Sequence, residues 1–177
     1  MTTLPPDAAM IPAWLGGDLV ALDKMRVHRE GLRHKAVSVF VQFGEDLLLQ
    51  RRALAKYHTP GLWANACCTH PHWGESPLDC AKRRLDEELG LSGLDLDHQG
   101  QVEYRADVGC DLVEHEVVDL FLARVAARPI VTPNPEEVMA VDWMPLRQLE
   151  AAIRRRPEDF TPWLRIYLDR RAGQIFA

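Results

Sequence analysis

The stretch from Gly74 to Leu91 constrains the fold more than any other, because it announces both ends of one helix. Ser76 offers an N-cap oxygen, Pro77 suits the first helical position, and Gly90 suits a left-handed stop. Between them Leu78, Ala81, Leu85 and Leu89 recur at helical spacing, with Arg83, Arg84, Glu87 and Glu88 beside the stripe. The spacing predicts a helix over Pro77–Leu89. A helix with one apolar stripe has to lie against another layer, and the flanking sequence supplies it. Residues 36–43 and 47–52 read as a hairpin turning at Gly44-Glu45-Asp46. Residues 102–106 and 113–124 read as a longer hairpin around Gly109, and 141–144 as a short strand. Helices follow over Leu146–Arg155 and from Phe160-Thr161-Pro162-Trp163 to about Arg171. Strands, a central helix, more strands and late helices predict an α/β or α+β fold, a single domain with a mixed sheet. Residues 1–13 read as a loose leader, 15–22 as a short strand, and the segment carrying His28 and His34 as a loop. The expected division is a leader over 1–18 and one domain over 19–177.

At 177 residues the chain is long enough for a full core. No apolar run reaches the roughly 18 residues that a membrane helix needs, so no membrane partner is expected. The first dozen residues lack the basic and apolar regions of a signal peptide. Cys67, Cys68, Cys80 and Cys110 have no disulfide-framework spacing, which points to a reduced, cytoplasmic setting. A net charge of -5 speaks against nucleic acid as partner but not against a small anion, because local cations outvote a net charge.

Chemistry concentrates in Asn65-Ala66-Cys67-Cys68-Thr69-His70-Pro71. In an extended segment, residues two apart face one side, so the Cys68 thiol and the His70 imidazole can share a cavity. The same alternation puts Glu114 and Glu116 on one face and His115 on the other. Paired carboxylates repel unless a proton or a metal ion lies between them.

The central helix resembles the second half of a Nudix box. Glu75, Arg83, Leu85, Glu87, Glu88, Gly90 and Leu91 fall in register, while Thr69 stands at the first glycine position and Arg84 at a glutamate position. The hydrolases of that superfamily gather glutamates here around metal ions, and Arg84 replaces such a ligand with a phosphate-pairing cation. Within the superfamily, residues 31–40, 65–71, Tyr104-Arg105-Ala106, Glu114-His115-Glu116-Val117 and Phe160-Thr161-Pro162-Trp163-Leu164 resemble type I isopentenyl-diphosphate isomerases. The likeness covers roughly 19–172, and the leader departs from the family's longer N-terminal strand.

The resemblance implies a Nudix-like α/β/α sandwich and a 1,3-proton shift between isopentenyl and dimethylallyl diphosphate through a tertiary carbocation, in isoprenoid biosynthesis. It implies Cys68 and Glu116 as the proton-transferring pair, with Tyr104 beside Glu116. His28, His34, His70, Glu114 and Glu116 are the implied ligands of a first divalent ion, Mn²⁺, Mg²⁺ or Zn²⁺. Glu88 is the implied ligand of a diphosphate-bound Mg²⁺. Lys24, Arg52, Lys56 and Arg84 would hold the diphosphate, and Trp163, with Trp63 as a second choice, would stabilise the cation. Arg51 is expected on the opposite strand face, and His58, His72, His98 and His115 have no matching role. A prenyl diphosphate is the expected partner and a monomer or weak homodimer the expected assembly. A Nudix pyrophosphohydrolase acting on a nucleotide or prenyl diphosphate is the alternative, disfavoured by Arg84, Thr69 and the Cys68–Glu116 pair.

Overall fold

Strand β3 (Arg33–Phe43) is the spine of a nine-stranded mixed sheet in the computed structural model, which describes residues 10–177. Its middle, residues 36–41, is buried on both faces, which explains the almost unbroken apolar run. Ala36 and Phe40 join one core cluster, and Val37, Val39 and Val41 join the other. Ser38 is the polar interruption and falls on the Ala36–Phe40 face by alternation.

One edge of β3 is shared by three short pairings. They are β1 (Met10–Leu15) at Ala13↔His34, β6 (Cys67–Thr69) at residues 37–39, and β4 (Asp46–Arg52) at residues 42–43. Along the other edge β8 (Leu112–Arg124) runs parallel, from Arg33↔His115 to Gln42↔Arg124. Strand β7 (Asp97–Gly109) covers β8 as an antiparallel hairpin whose turn places Cys110 and Asp111 at positive φ. Strands β5 (Trp63–Asn65) and β9 (Val138–Pro145) complete the sheet against β4.

Helix α2 (Pro77–Leu89) has the bounds its sequence predicts. Ser76 accepts from the Asp79 backbone and Gly90 takes the left-handed conformation. The buried stripe is Cys80, Ala81, Leu85 and Leu89, while Leu78 in the first turn is exposed. Helix α3 (Leu146–Arg155) also keeps its expected bounds, and α4 (Pro162–Ile175) extends to Ile175. Helix α4 brings Trp163, Leu164 and Tyr167 onto the Phe40 face, opposite the face that α2 covers. The sheet thus lies between helices in an α/β arrangement, as the resemblance implies.

Two N-terminal readings change. Residues 10–15, expected in the leader, form β1 and pair with β2 (Asp18–Asp23) across Gly16 and Gly17, both at positive φ. Ile11 and Ala13 bury against Val27, which gives that hairpin its own small core. The first nine residues of the expected leader lie outside the described residues. The expected loop before β3 contains α1 (Lys24–Glu30), capped by Asp23 and ended by left-handed Gly31. Its only buried residues are Val27 and His28, too few to make an apolar period visible. No helix among the described residues is long and apolar enough to cross a membrane.

Candidate active site

Helix α1, the start of β3 and the end of β6 converge three imidazoles. His28 Nδ1 lies 2.7 Å from the Lys24 carbonyl and His34 Nδ1 lies 2.7 Å from the Leu32 carbonyl. A carbonyl only accepts, so each Nδ1 carries the proton and each Nε2 keeps a free lone pair. Both Nε2 atoms are buried without a partner. His70 Nε2 lies 2.9 Å from Glu116 Oε1, and His34 Nε2 lies 3.5 Å from the same oxygen. Ligand atoms of His28, His34, His70 and Glu116 all fall within 4.8 Å of one another. Burial, then the neighbouring His34, pushes His28 down to about 4, and burial lowers His70 well below its ordinary value. Imidazoles with buried free lone pairs beside a carboxylate are a donor set that fits a divalent cation.

Glu114 falls in a second group with His28 and His58, so the expected set of five ligands divides into two groups that share His28. Both carboxylates lie in the buried stripe of β8, between Leu112 and the later members Val118, Leu120 and Leu122. Tyr104, directly across the β7–β8 ladder from Glu116, places its hydroxyl 2.7 Å from Glu114 Oε2 and 2.6 Å from Glu116 Oε2. Burial alone would raise the Glu116 carboxyl, but His34, Tyr104 and His28 together hold it below its ordinary value.

Cys68 faces Ser38 directly across the β3–β6 ladder, with Sγ 3.0 Å from Ser38 Oγ and 3.1 Å from Asn65 Oδ1. Asn65 Nδ2 donates to the Val39 and Cys67 carbonyls and to Ser38 Oγ. Those carbonyls orient the amide so that its oxygen faces the thiol, which therefore donates. Burial pushes the Cys68 thiol far up, opposed by Ser38, so Sγ holds its proton at neutral pH. Neighbouring Cys67 points the other way, into the core under α2.

Cys68, His70, Glu114 and Glu116 line one cavity together with Trp163. Lys24, Arg52, Lys56 and Arg84 line it too. Burial and the charges of Lys56, Arg84 and Arg52 push Lys24 down to about 8. The Arg52 guanidinium lies 5.2 Å from the Trp163 ring centre, and its Nη2 donates to the His58 carbonyl. Arg51 takes the opposite strand face, exposed and bonded to the Gly61 carbonyl, as expected. Glu88 stands outside both ligand groups, its carboxylate bonded to Arg84 at 2.6 Å and Gln50 at 2.8 Å. Trp63 is a correction: it borders a separate surface hollow with Arg51 and Leu54, because β5 pairs it with outward-facing Arg51.

Sequence reasoning passed over four residues here. Ser38 and Asn65 hold the thiol, Glu137 pairs with Lys56 and Arg84, and His58 is buried against Glu114 at 3.1 Å. His58, which has no matching role in the resemblance, lies in a turn that gives no periodicity to read. Ser38 alone left a trace, as a hydroxyl inside an apolar strand.

Residues 32–164 match the NUDIX domain family, and the chain belongs to it. A crystal structure from Deinococcus radiodurans superposes with a TM-score of 0.73 at 15% identity, covering 91% of this chain and 98% of that one. A MutT protein from Methanosarcina mazei gives 0.62 at 19% identity, covering 78% and 91%. These two share the fold. Much nearer in sequence are proteins named isopentenyl-diphosphate Delta-isomerase. The one from Dinoroseobacter shibae is 60% identical over 94% of this chain and 95% of its own length. The one from Roseobacter denitrificans is 56% identical over 94% and 95%. Within the NUDIX family, this chain stands with the isopentenyl-diphosphate Delta-isomerases.

Proposed function

We propose that this enzyme interconverts isopentenyl and dimethylallyl diphosphate by a metal-dependent 1,3-proton transfer. The observation that carries the reading is the shared cavity: a protonated thiol, a carboxylate bonded to a tyrosine, and four cations open onto one space. A 1,3-shift needs one group to add a proton at the terminal alkene carbon and another to remove one from C2. Cys68 and Glu116 are this pair. Tyr104 passes protons at the Glu116 oxygen and fixes its orientation.

The ligand set is His28, His34, His70, Glu114 and Glu116. A bound Mn²⁺, Mg²⁺ or Zn²⁺ would supply the positive charge that lets both carboxylates stay ionised side by side. Lys24, Arg52, Lys56 and Arg84 grip the diphosphate, the arginines with two-pronged contacts and the lysines as point charges. Glu88, paired with Arg84, is the residue that would hold a Mg²⁺ carried in with the diphosphate. Trp163 stabilises the carbocation through its ring face, an attraction of about 2 kcal/mol when desolvated. The wider reading is a cytoplasmic monomer or weak homodimer whose partner is a prenyl diphosphate, with no nucleic acid or membrane involved.

Hydrolysis is disfavoured by Arg84. It bonds Glu87 at 2.8 Å and Glu88 at 2.6 Å, so the acidic end of α2 is neutralised by an internal cation. The test is incubation with isopentenyl diphosphate, Mg²⁺ and Mn²⁺ in deuterated water. Deuterium entering dimethylallyl diphosphate supports the isomerase, and released phosphate would sink it.

A further inference from the structure

His58 occupies the turn between β4 and β5, is 3% exposed, and belongs to the second group with His28 and Glu114. Its Nε2 lies 3.1 Å from Glu114 Oε1, and its Nδ1 lies 3.0 Å from Thr59 Oγ1. The two contacts fix one tautomer. An ionised carboxylate only accepts, so Nε2 carries the proton, and the Thr59 hydroxyl donates to Nδ1. Thr59 sits at φ 44, a left-handed conformation that β-branched residues rarely adopt, and such strain collects at functional sites. The other oxygen of Glu114 lies 2.7 Å from the Tyr104 hydroxyl, whose single proton it shares with Glu116. His58 is therefore the donor that Glu114 has to itself, on the side away from the shared tyrosine.

We propose that His58 is a positioning residue for the ion site, holding Glu114 in the orientation from which a remaining lone pair faces His28. The inference rests on the metal-site reading above and adds a residue to it. The same turn also reaches the diphosphate end of the cavity, where the His58 carbonyl accepts from Arg52 Nη2 at 3.2 Å. One short segment thus ties a diphosphate-gripping arginine to a metal-binding carboxylate.

Mn²⁺ titration of the chelator-stripped full chain by calorimetry tests this, with apo melting followed alongside. His58→Leu removes the donor, and the expected result is Mn²⁺ binding weakened about 10- to 100-fold, the usual loss for an outer-shell partner. His58→Gln brings an amide N–H to the Nε2 position and restores most of the affinity. Thr59→Val, which keeps His58 but frees its ring, weakens binding in the same direction and decides the matter if the leucine variant fails to fold. Wild-type affinity in both His58→Leu and Thr59→Val overturns the proposal. So does a glutamine variant as weak as leucine, which would make His58 itself a ligand. Failure of the underlying reading is separate: the unaltered chain would then bind no Mn²⁺, and Glu116→Gln would change nothing.

Discussion

The hydroxyl of Tyr104 lies 2.6 Å from Oε2 of Glu116, and the pairing comes straight from their direct opposition in the β7–β8 ladder. The same hydroxyl is 2.7 Å from Glu114, yet it has a single proton to give. Tyr104→Phe is expected to lower kcat about 10²- to 10⁴-fold, the range for a positioned acid–base group. KM should stay near wild type, because the phenol bonds only to Glu114 and Glu116 and not to the four cations assigned to the diphosphate. Steady-state kinetics checks both parameters.

Cys68→Ala and Glu116→Gln should each lose isomerisation while circular dichroism and melting remain near wild type. Retained turnover in the Cys68 variant removes the thiol from the chemistry.

Asn65→Ala should destabilise the chain, because it strips partners from the Val39 and Cys67 carbonyls in a fully buried position. The expected loss is about 1–3 kcal/mol, the cost of buried polar groups left unpaired, read from urea unfolding. Ser38→Ala, which removes the hydroxyl facing Sγ and one of the three acceptors of Asn65 Nδ2, should lower kcat with a smaller change in stability.

Diphosphate binding should depend on pH through Lys24, pushed down to about 8 by burial and three neighbouring cations. Below pH 8 the ammonium is charged and attracts the anion; above it the group is neutral and its contribution is lost. Inorganic pyrophosphate should therefore bind more weakly as pH rises through 8. Lys24→Arg, whose guanidinium keeps its proton, should flatten that part of the profile. An identical fall in both proteins would assign it to another group.

Metal removal should lower thermal stability, since an ion that binds only the folded chain adds stability by mass action. At 100 times its dissociation constant, Mn²⁺ should add about 2.7 kcal/mol. Melting curves with chelator and with excess Mn²⁺ measure the difference.

Local signals were the legible ones. Helix α2 could be bounded to the residue because Ser76, Pro77 and Gly90 are chemically committed to a helix's ends. Glu114 and Glu116 could be put on one face because a strand alternates, whichever strand lies beside it. Helix α1 was hidden because only Val27 and His28 are buried in it, leaving Asp23 and Gly31 as its sole markers. The outward place of Trp63 and the burial of His58 against Glu114 were illegible for a related reason. Which way a turn or a three-residue strand aims its side chains depends on pairing with distant segments, and no nearby pattern encodes that.

His34 and Glu116 stand opposite one another only because β3 and β8 run side by side in the same direction. A parallel pair so widely separated along the chain must close a long loop before it gains a contact, and such pairings form slowly. A chain still emerging from the ribosome with β8 unmade would carry all three imidazoles and neither carboxylate. An ion that needs the full set of imidazoles and carboxylates would therefore find its site complete only once β8 has docked beside β3.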